Sequence, residues 1–100
     1  MNLPPNSFIA AGPVIIEKIN GRLCVLLNKH KNTAARPNPK WQFPGGKMEN
    51  FDQSLEATAK REVKEEMGLK IKISKPLETI LAKQNDGSIA VLIHYLAKRI

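Results

Sequence analysis

Only one segment of this chain has the periodicity of a helix, and that limits the fold more than any other feature. From Ser54 to Met67, the residues Leu55, Ala59, Val63 and Met67 recur at every fourth position and form one apolar stripe. Asp52 or Ser54 can cap its start, and Gly68 suits the left-handed position just past its end. The other apolar residues run or alternate as strands. Residues 8–19 and 22–29 are rich in Ile, Val and Leu around Asn20-Gly21. That pair supplies both positive φ angles of a type I′ turn, so a β-hairpin is expected. Trp41-Gln42-Phe43 reads as a short strand ending at Pro44-Gly45-Gly46, where the backbone must turn sharply or approach something closely. Leu69, Ile71 and Ile73 alternate with Lys70, Lys72 and Ser74, which predicts a strand with one wet face, and Asp86-Gly87 is a second tight turn. Ile89 to Leu96 is apolar on both alternating faces except at His94, as a central strand would be. This order dictates an α/β (α+β) fold, a mixed β-sheet with one helix packed on it.

The length of 100 residues allows one domain, spanning 1–100. The apolar stretch Phe8 to Ile16 is too short to cross a bilayer, and no basic segment precedes it as in a signal peptide. Cys24 is the one cysteine and has no internal partner, which fits a reduced compartment. The expectation is a cytoplasmic protein with no membrane partner.

Sixteen Lys and Arg against nine Asp and Glu give a net charge of +7, which points toward a polyanionic partner. Its distribution says more than its size. Glu49, Asp52, Glu56, Glu62, Glu65 and Glu66 fall within eighteen consecutive residues, whereas the segment from Lys29 to Lys47 holds Lys29, Lys31, Arg36, Lys40 and Lys47 and no acid. A basic segment followed by an acidic one suits a site that holds both phosphate and a divalent cation. With no recognition helix or stacking sheet, the pattern argues against nucleic acid.

On the helix, Glu62, Glu65 and Glu66 stand at i, i+3 and i+4, so their carboxylates leave one side of a single turn. Surface helices carry many glutamates for their propensity alone. Three crowded carboxylates nevertheless repel one another, and Mg²⁺ or Mn²⁺, which takes hard oxygen ligands, relieves that repulsion.

The stretch Gly45-Gly46-Lys47-Met48-Glu49, followed by Arg61-Glu62-Val63-Lys64-Glu65-Glu66-Met67-Gly68-Leu69, closely resembles the signature of the Nudix hydrolases. That signature is a glycine, five residues, a glutamate, seven residues, then Arg-Glu-apolar-x-Glu-Glu-x-Gly-apolar. Its second half is matched at every defined position, and Trp41-Gln42-Phe43-Pro44-Gly45-Gly46-Lys47 is similar to the lead-in of MutT-like members. One departure stands out. Five residues after Gly46 comes Asp52, not Glu, and eight residues then precede Arg61; counting back from Arg61 instead reaches Gln53. In the family that glutamate supports the loop–helix geometry, so the departure implies an altered loop more than lost metal binding.

The resemblance implies hydrolysis of a diphosphate bond in a nucleoside diphosphate-linked substrate, most of all a nucleoside triphosphate. ADP-ribose and dinucleoside polyphosphates are the alternatives, and a non-catalytic nucleotide-binding module is the rival of another class. It assigns Glu65 and Glu66 to Mg²⁺ or Mn²⁺, Glu62 to the ion or to the proton of the attacking water, and a carbonyl of Gly45 or Gly46 to complete the shell. Arg61 would face away from the ions and orient a glutamate. Lys29 and Lys47 would add positive field, and Trp41 and Phe43 could stack on a base, although alternating aromatics in a strand are more often core. His30 is a loop residue that could touch phosphate, and His94 is read as a hydrogen-bonded core histidine. Members of the family continue past the last strand into a second covering helix, so the chain is expected to be incomplete at its C-terminus. A face of Ile89, Val91, Ile93 and Tyr95 left uncovered would then be an association surface, making a homodimer possible.

Overall fold

A computed structural model describes residues 2–100. The elements are β1 (Phe8–Ile19), β2 (Arg22–Val25), β3 (Gly46–Lys47), α1 (Leu55–Met67), β4 (Ile71–Lys83) and β5 (Ile89–Arg99). They form one mixed sheet in the order β2-β1-β5-β4, with β3 added on β1. β1 and β5 run parallel at its centre, and the remaining pairs are antiparallel.

Asn20 (φ 51°) and Gly21 (φ 81°) take the two left-handed positions expected of them, and the hairpin closes with Ile19 opposite Arg22. β1 uses one edge twice, pairing β3 at Ala10 and Ala11 and β2 from Ile16 onward. Pro13, which has no N–H to give, falls between the two pairings. The expected strand at 41–43 is reduced to a single bridge between Asn28 and Gln42, closed by two backbone hydrogen bonds of 2.7 and 2.8 Å. It pinches off the segment between them as a loop. The strand after the helix is longer than its alternation suggested, running to Lys83 through register shifts between Ile73 and Lys75 and between Pro76 and Glu78. A proline is tolerated there because β4 is an edge strand.

The helix begins at the cap offered by Ser54, whose Oγ accepts from the Ala57 N–H at 3.0 Å, and ends at Gly68 in the left-handed region (φ 67°). Asp52 is therefore free for another partner. The stripe of α1 lies over β1 and β5: Val63 packs with Ile15, Ile71 and Ala97, and Ala59 with Ala11 and Tyr95. This reverses the facing expected of β5. Tyr95 is buried and Ile93 packs beside it under the helix, so they form no uncovered association surface. The helix-free face carries Leu92, His94 and Leu96 instead, the positions out of phase with them along the strand.

Part of that second face is closed by the turn at 42–46. Pro44 is fully buried, and Gly12 and Gly45 meet so closely that a Cβ on Gly12 would lie 2.2 Å from the Pro44 carbonyl oxygen. Covered by the helix on one side and this turn on the other, Ala10 to Pro13 are all buried. Gly12→Ala is expected to force the turn off the sheet and to destabilise by about 1–3 kcal/mol, as overpacking does elsewhere. Thermal unfolding measures it; an unchanged midpoint would mean the contact is not held in solution.

Among the described residues, no helix is long and apolar enough to cross a membrane.

Candidate active site

The C-terminal half of α1, the turn at 45–46 and the pinched loop after Asn28 surround a cleft of about 600 Å³. Glu62 and Glu66 form its acidic wall, Gly45 and Gly46 its base, and His30, Arg36, Lys40 and Lys47 its basic side. The juxtaposition foreseen from the charge distribution is thus brought about by the fold.

Of the two carboxylates in the cleft wall, Glu66 is tied to the loop and the turn. Its Oε1 accepts from the Gly45 N–H at 3.1 Å and its Oε2 from Asn28 Nδ2 at 2.8 Å, with His30 Nε2 3.8 Å away. Each oxygen keeps a further lone-pair direction free for another ligand. Glu62 lies against Gly46, where a Cβ would come within 2.4–2.6 Å of its carboxyl atoms, so only glycine leaves room for it. Burial pushes the Glu62 carboxyl up from its ordinary value, against the lowering effect of Arg61. Glu65 leaves the same turn but points outward. Its side chain is 58% exposed and meets only the Arg61 guanidinium, at 3.3 Å.

Arg61 ties this side together. Its Nε and Nη2 donate to the two carboxylate oxygens of Asp52, both at 2.9 Å, Nη1 donates to Glu62 Oε1 at 2.9 Å, and Nη2 also reaches the Lys47 carbonyl oxygen at 3.1 Å. A guanidinium held as a two-pronged fork has little freedom left, so it fixes Glu62 as well. Asp52 also accepts from the Glu49 N–H and from Thr58 Oγ, each at 2.9 Å. The carboxylate that supports the loop is therefore Asp52, reached by counting forward from Gly46, and the extra residue lies between it and the helix. The Arg61 guanidinium first, then the Glu49 N–H, holds the Asp52 carboxyl well below the usual carboxylate range.

Because its native pKa is depressed, ionised Asp52 contributes stability that is fully present above about pH 4 and is lost progressively below it. Asp52→Asn turns an NH₂ toward the fork. The melting-temperature gap between the two proteins is expected to stay constant from neutral pH down to about 5 and to narrow below about 4. A gap that widens in acid would refute the pairing.

Among the described residues, no group of three or more His, Cys, Asp or Glu side chains stands ready to hold a metal ion. The donor chemistry still suits a hard divalent cation, because Glu62 and Glu66 are carboxylates one helical turn apart beside backbone that glycine leaves open. Of the other expected site residues, Lys47 lines the cleft, with its ammonium 4.5 Å from the Phe8 ring centroid. Lys29 does not line it, and its ammonium lies 5.7 Å from the centroid of Trp41, which is 65% exposed and also outside the cleft. Phe43 lines a second, adjoining cavity. Asn28, Arg36 and Lys40 were not singled out from the sequence as site residues. The lysine and arginine were visible only as part of a basic run, and nothing in the local pattern marks Asn28.

A family model described as the NUDIX domain matches residues 8–97. Peroxisomal coenzyme A diphosphatase 1 of Saccharomyces cerevisiae is 41% identical over 51 residues, a span covering 51% of this chain and 15% of the yeast protein. Among solved structures, the Ap4A hydrolase of C. elegans superimposes with a TM-score of 0.73 at 27% identity, covering 92% of this chain and 67% of its own. A MutT NUDIX hydrolase from Burkholderia pseudomallei gives 0.70 at 26%, covering 93% and 67%.

Proposed function

The chain belongs to the Nudix family, and from that membership we propose that it hydrolyses a diphosphate bond in a nucleoside diphosphate-linked substrate with the help of Mg²⁺ or Mn²⁺. The observation that carries the proposal is the single cleft in which Glu62, Glu66 and the glycine turn face Arg36, Lys40 and Lys47. Carboxylates with open backbone suit the cation, and the basic wall suits the phosphates.

Glu66, held by Asn28 and Gly45, and Glu62, held by Arg61, would be ligands together with the more exposed Glu65 and a carbonyl of the Gly45-Gly46 turn. When bound, the cation neutralises charge on the phosphate oxygens and makes water a better nucleophile. Glu62 has a second reading: held by Arg61 beside the glycine turn, its carboxylate can take the proton of the attacking water instead of binding the ion. Arg36, Lys40 and Lys47 position the phosphate chain and oppose the charge that builds on it during bond cleavage.

Three cations along one wall favour a substrate rich in phosphate, and a nucleoside triphosphate is the first reading. Coenzyme A is the second, favoured by the 41% identity with the yeast diphosphatase. A cytoplasmic location belongs to the same proposal; the yeast relative is named as peroxisomal. Chromatography of the products from nucleoside triphosphates, coenzyme A, ADP-ribose and diadenosine tetraphosphate, with and without Mg²⁺, tests it. Metal-dependent turnover of at least one is expected, and the ratio of kcat/KM values ranks the readings. Tight binding with no product from any of them would replace the hydrolase by a nucleotide-binding module.

A further inference from the structure

The loop that carries part of the basic wall is tied to the acidic wall at one point. Residues 29–41 lie between Asn28 and Gln42, whose backbones close the neck with hydrogen bonds of 2.7 and 2.8 Å. Beyond the neck the loop holds its own shape. Thr33 and Arg36 exchange backbone hydrogen bonds of 3.2 Å, the Arg36 N–H also reaches Thr33 Oγ1 at 3.1 Å, and the Asn38 N–H donates to Asn32 Oδ1 at 3.0 Å. Among the described residues, 29–41 make no hydrogen bond outside the loop. His30 Nε2, 3.8 Å from Glu66 Oε2, is too far for one. These bonds fix the loop's ends to each other and its body to itself, but not its place over α1. That falls to the Asn28 side chain, whose Nδ2 donates to Glu66 Oε2 at 2.8 Å. Glu66 Oε1 accepts from the Gly45 N–H at 3.1 Å, so a closed ring of contacts runs from the neck through the turn to α1 and back. We infer that Asn28 is a positioning residue for the basic wall: by its grip on Glu66 it sets where Arg36 and Lys40 stand, and so governs phosphate affinity without touching phosphate. The inference rests on the phosphate-binding reading of the cleft given above and names the joint on which that wall turns.

The residue type suits this role. An ionised carboxylate only accepts, so it needs an NH₂ facing it, and an aspartate at 28 would repel it instead. Hydrogen bonds to an ionised group are shorter and stronger than neutral ones, and this one is partly shielded from water, with the Glu66 side chain 12% exposed. Arg36 and Lys40 line the cleft from the loop, whereas Lys47 lines it from β3, which is paired to β1 at Ala10. The basic wall therefore has a hinged part and a fixed part, and Asn28 acts on the hinged part alone. A loop that its ligand must first put in order binds more weakly than one already in place. The Asn28 contact puts this loop in place beforehand.

The test is binding of inorganic pyrophosphate to the whole chain, by calorimetry in EDTA so that no cation bridges the ligand and the carboxylates. Asn28→Ala keeps the backbone groups of the neck and removes only the side-chain amide. It is expected to weaken pyrophosphate about tenfold, the scale of one hydrogen bond to a charged group. In Arg36→Ala or Lys40→Ala protein the same substitution is expected to cost no more than about threefold, because part of what it positions is gone. In Lys47→Ala protein it is expected to cost the full factor. Unchanged affinity in Asn28→Ala, an equal factor in all three backgrounds, or no pyrophosphate binding by the wild type would overturn the inference. Should Asn28→Ala fail to fold, Asn28→Ser, whose hydroxyl is too short to reach Glu66, carries the same comparison. Pyrophosphate binding that depends on Asn28 in a protein that hydrolyses none of the four substrates would keep the positioning role and remove the hydrolase; turnover with Asn28-independent binding would do the reverse.

Discussion

Glu66→Gln is expected to lower kcat/KM by at least about 10²–10³-fold at saturating Mg²⁺ while leaving the fold intact. The magnitude is that of removing one preorganised electrostatic group from an active site. The substitution keeps the size of the side chain but not its hydrogen-bonding pattern. Both carboxylate oxygens now accept, one from Gly45 and one from Asn28. A glutamine must turn its NH₂ toward one of those donors, so the turn or the loop neck loses its tie as the charge is lost. Binding of Mn²⁺, followed by its paramagnetic signal, is expected to weaken in parallel. Undiminished activity would remove Glu66 from the site, and undiminished Mn²⁺ affinity would remove it from the ion. Glu65→Gln completes the set: a fall of comparable size is expected, and full activity would leave Glu65 as no more than an outer partner of Arg61.

What could be read in the sequence divides along the distance over which the information acts. The Asn20-Gly21 turn, the Ser54 cap, the apolar stripe of α1 and the left-handed Gly68 are decided within a few residues of themselves, and all stand as the local chemistry requires. The facing of β5 is different. Ile89 to Leu96 is apolar in both phases, so alternation cannot say which phase the helix will cover. The strand at 41–43 failed for a related reason. Its residues alternate, but Asn28 offers it only one bridging partner before the chain turns away. Asn28 reaches Glu66 across 38 positions, and no local pattern marks such a contact. The signature motif located the carboxylates and the glycines, yet it was ambiguous at the inserted residue. There the fork geometry of Arg61 decided, because a guanidinium needs a carboxylate to grip and Gln53 has none.

Gly46→Ala separates the placing of Glu62 from the stability of the fold. Gly46 has an ordinary negative-φ backbone, unlike Gly45 at +148°, so alanine introduces no strain of its own. What its Cβ meets is the Glu62 carboxyl, at 2.4–2.6 Å. That group is the far end of a flexible side chain and can swing aside, so the cost in stability is small. Swinging aside breaks its 2.9 Å contact with Arg61 and carries the carboxylate out of the wall it shares with Glu66. Displacements of about 1 Å at a reacting centre cost on the order of 10²-fold. A loss of that order in kcat is therefore expected, with a melting temperature close to wild type and Asp52 still paired to Arg61. Glu62→Gln provides the comparison. If Gly46 acts only by making room for Glu62, the double variant is no slower than the slower single one, because the two changes remove the same interaction. Independent, multiplying losses would give Gly46 a separate part in the site, such as the carbonyl ligand assigned to this turn.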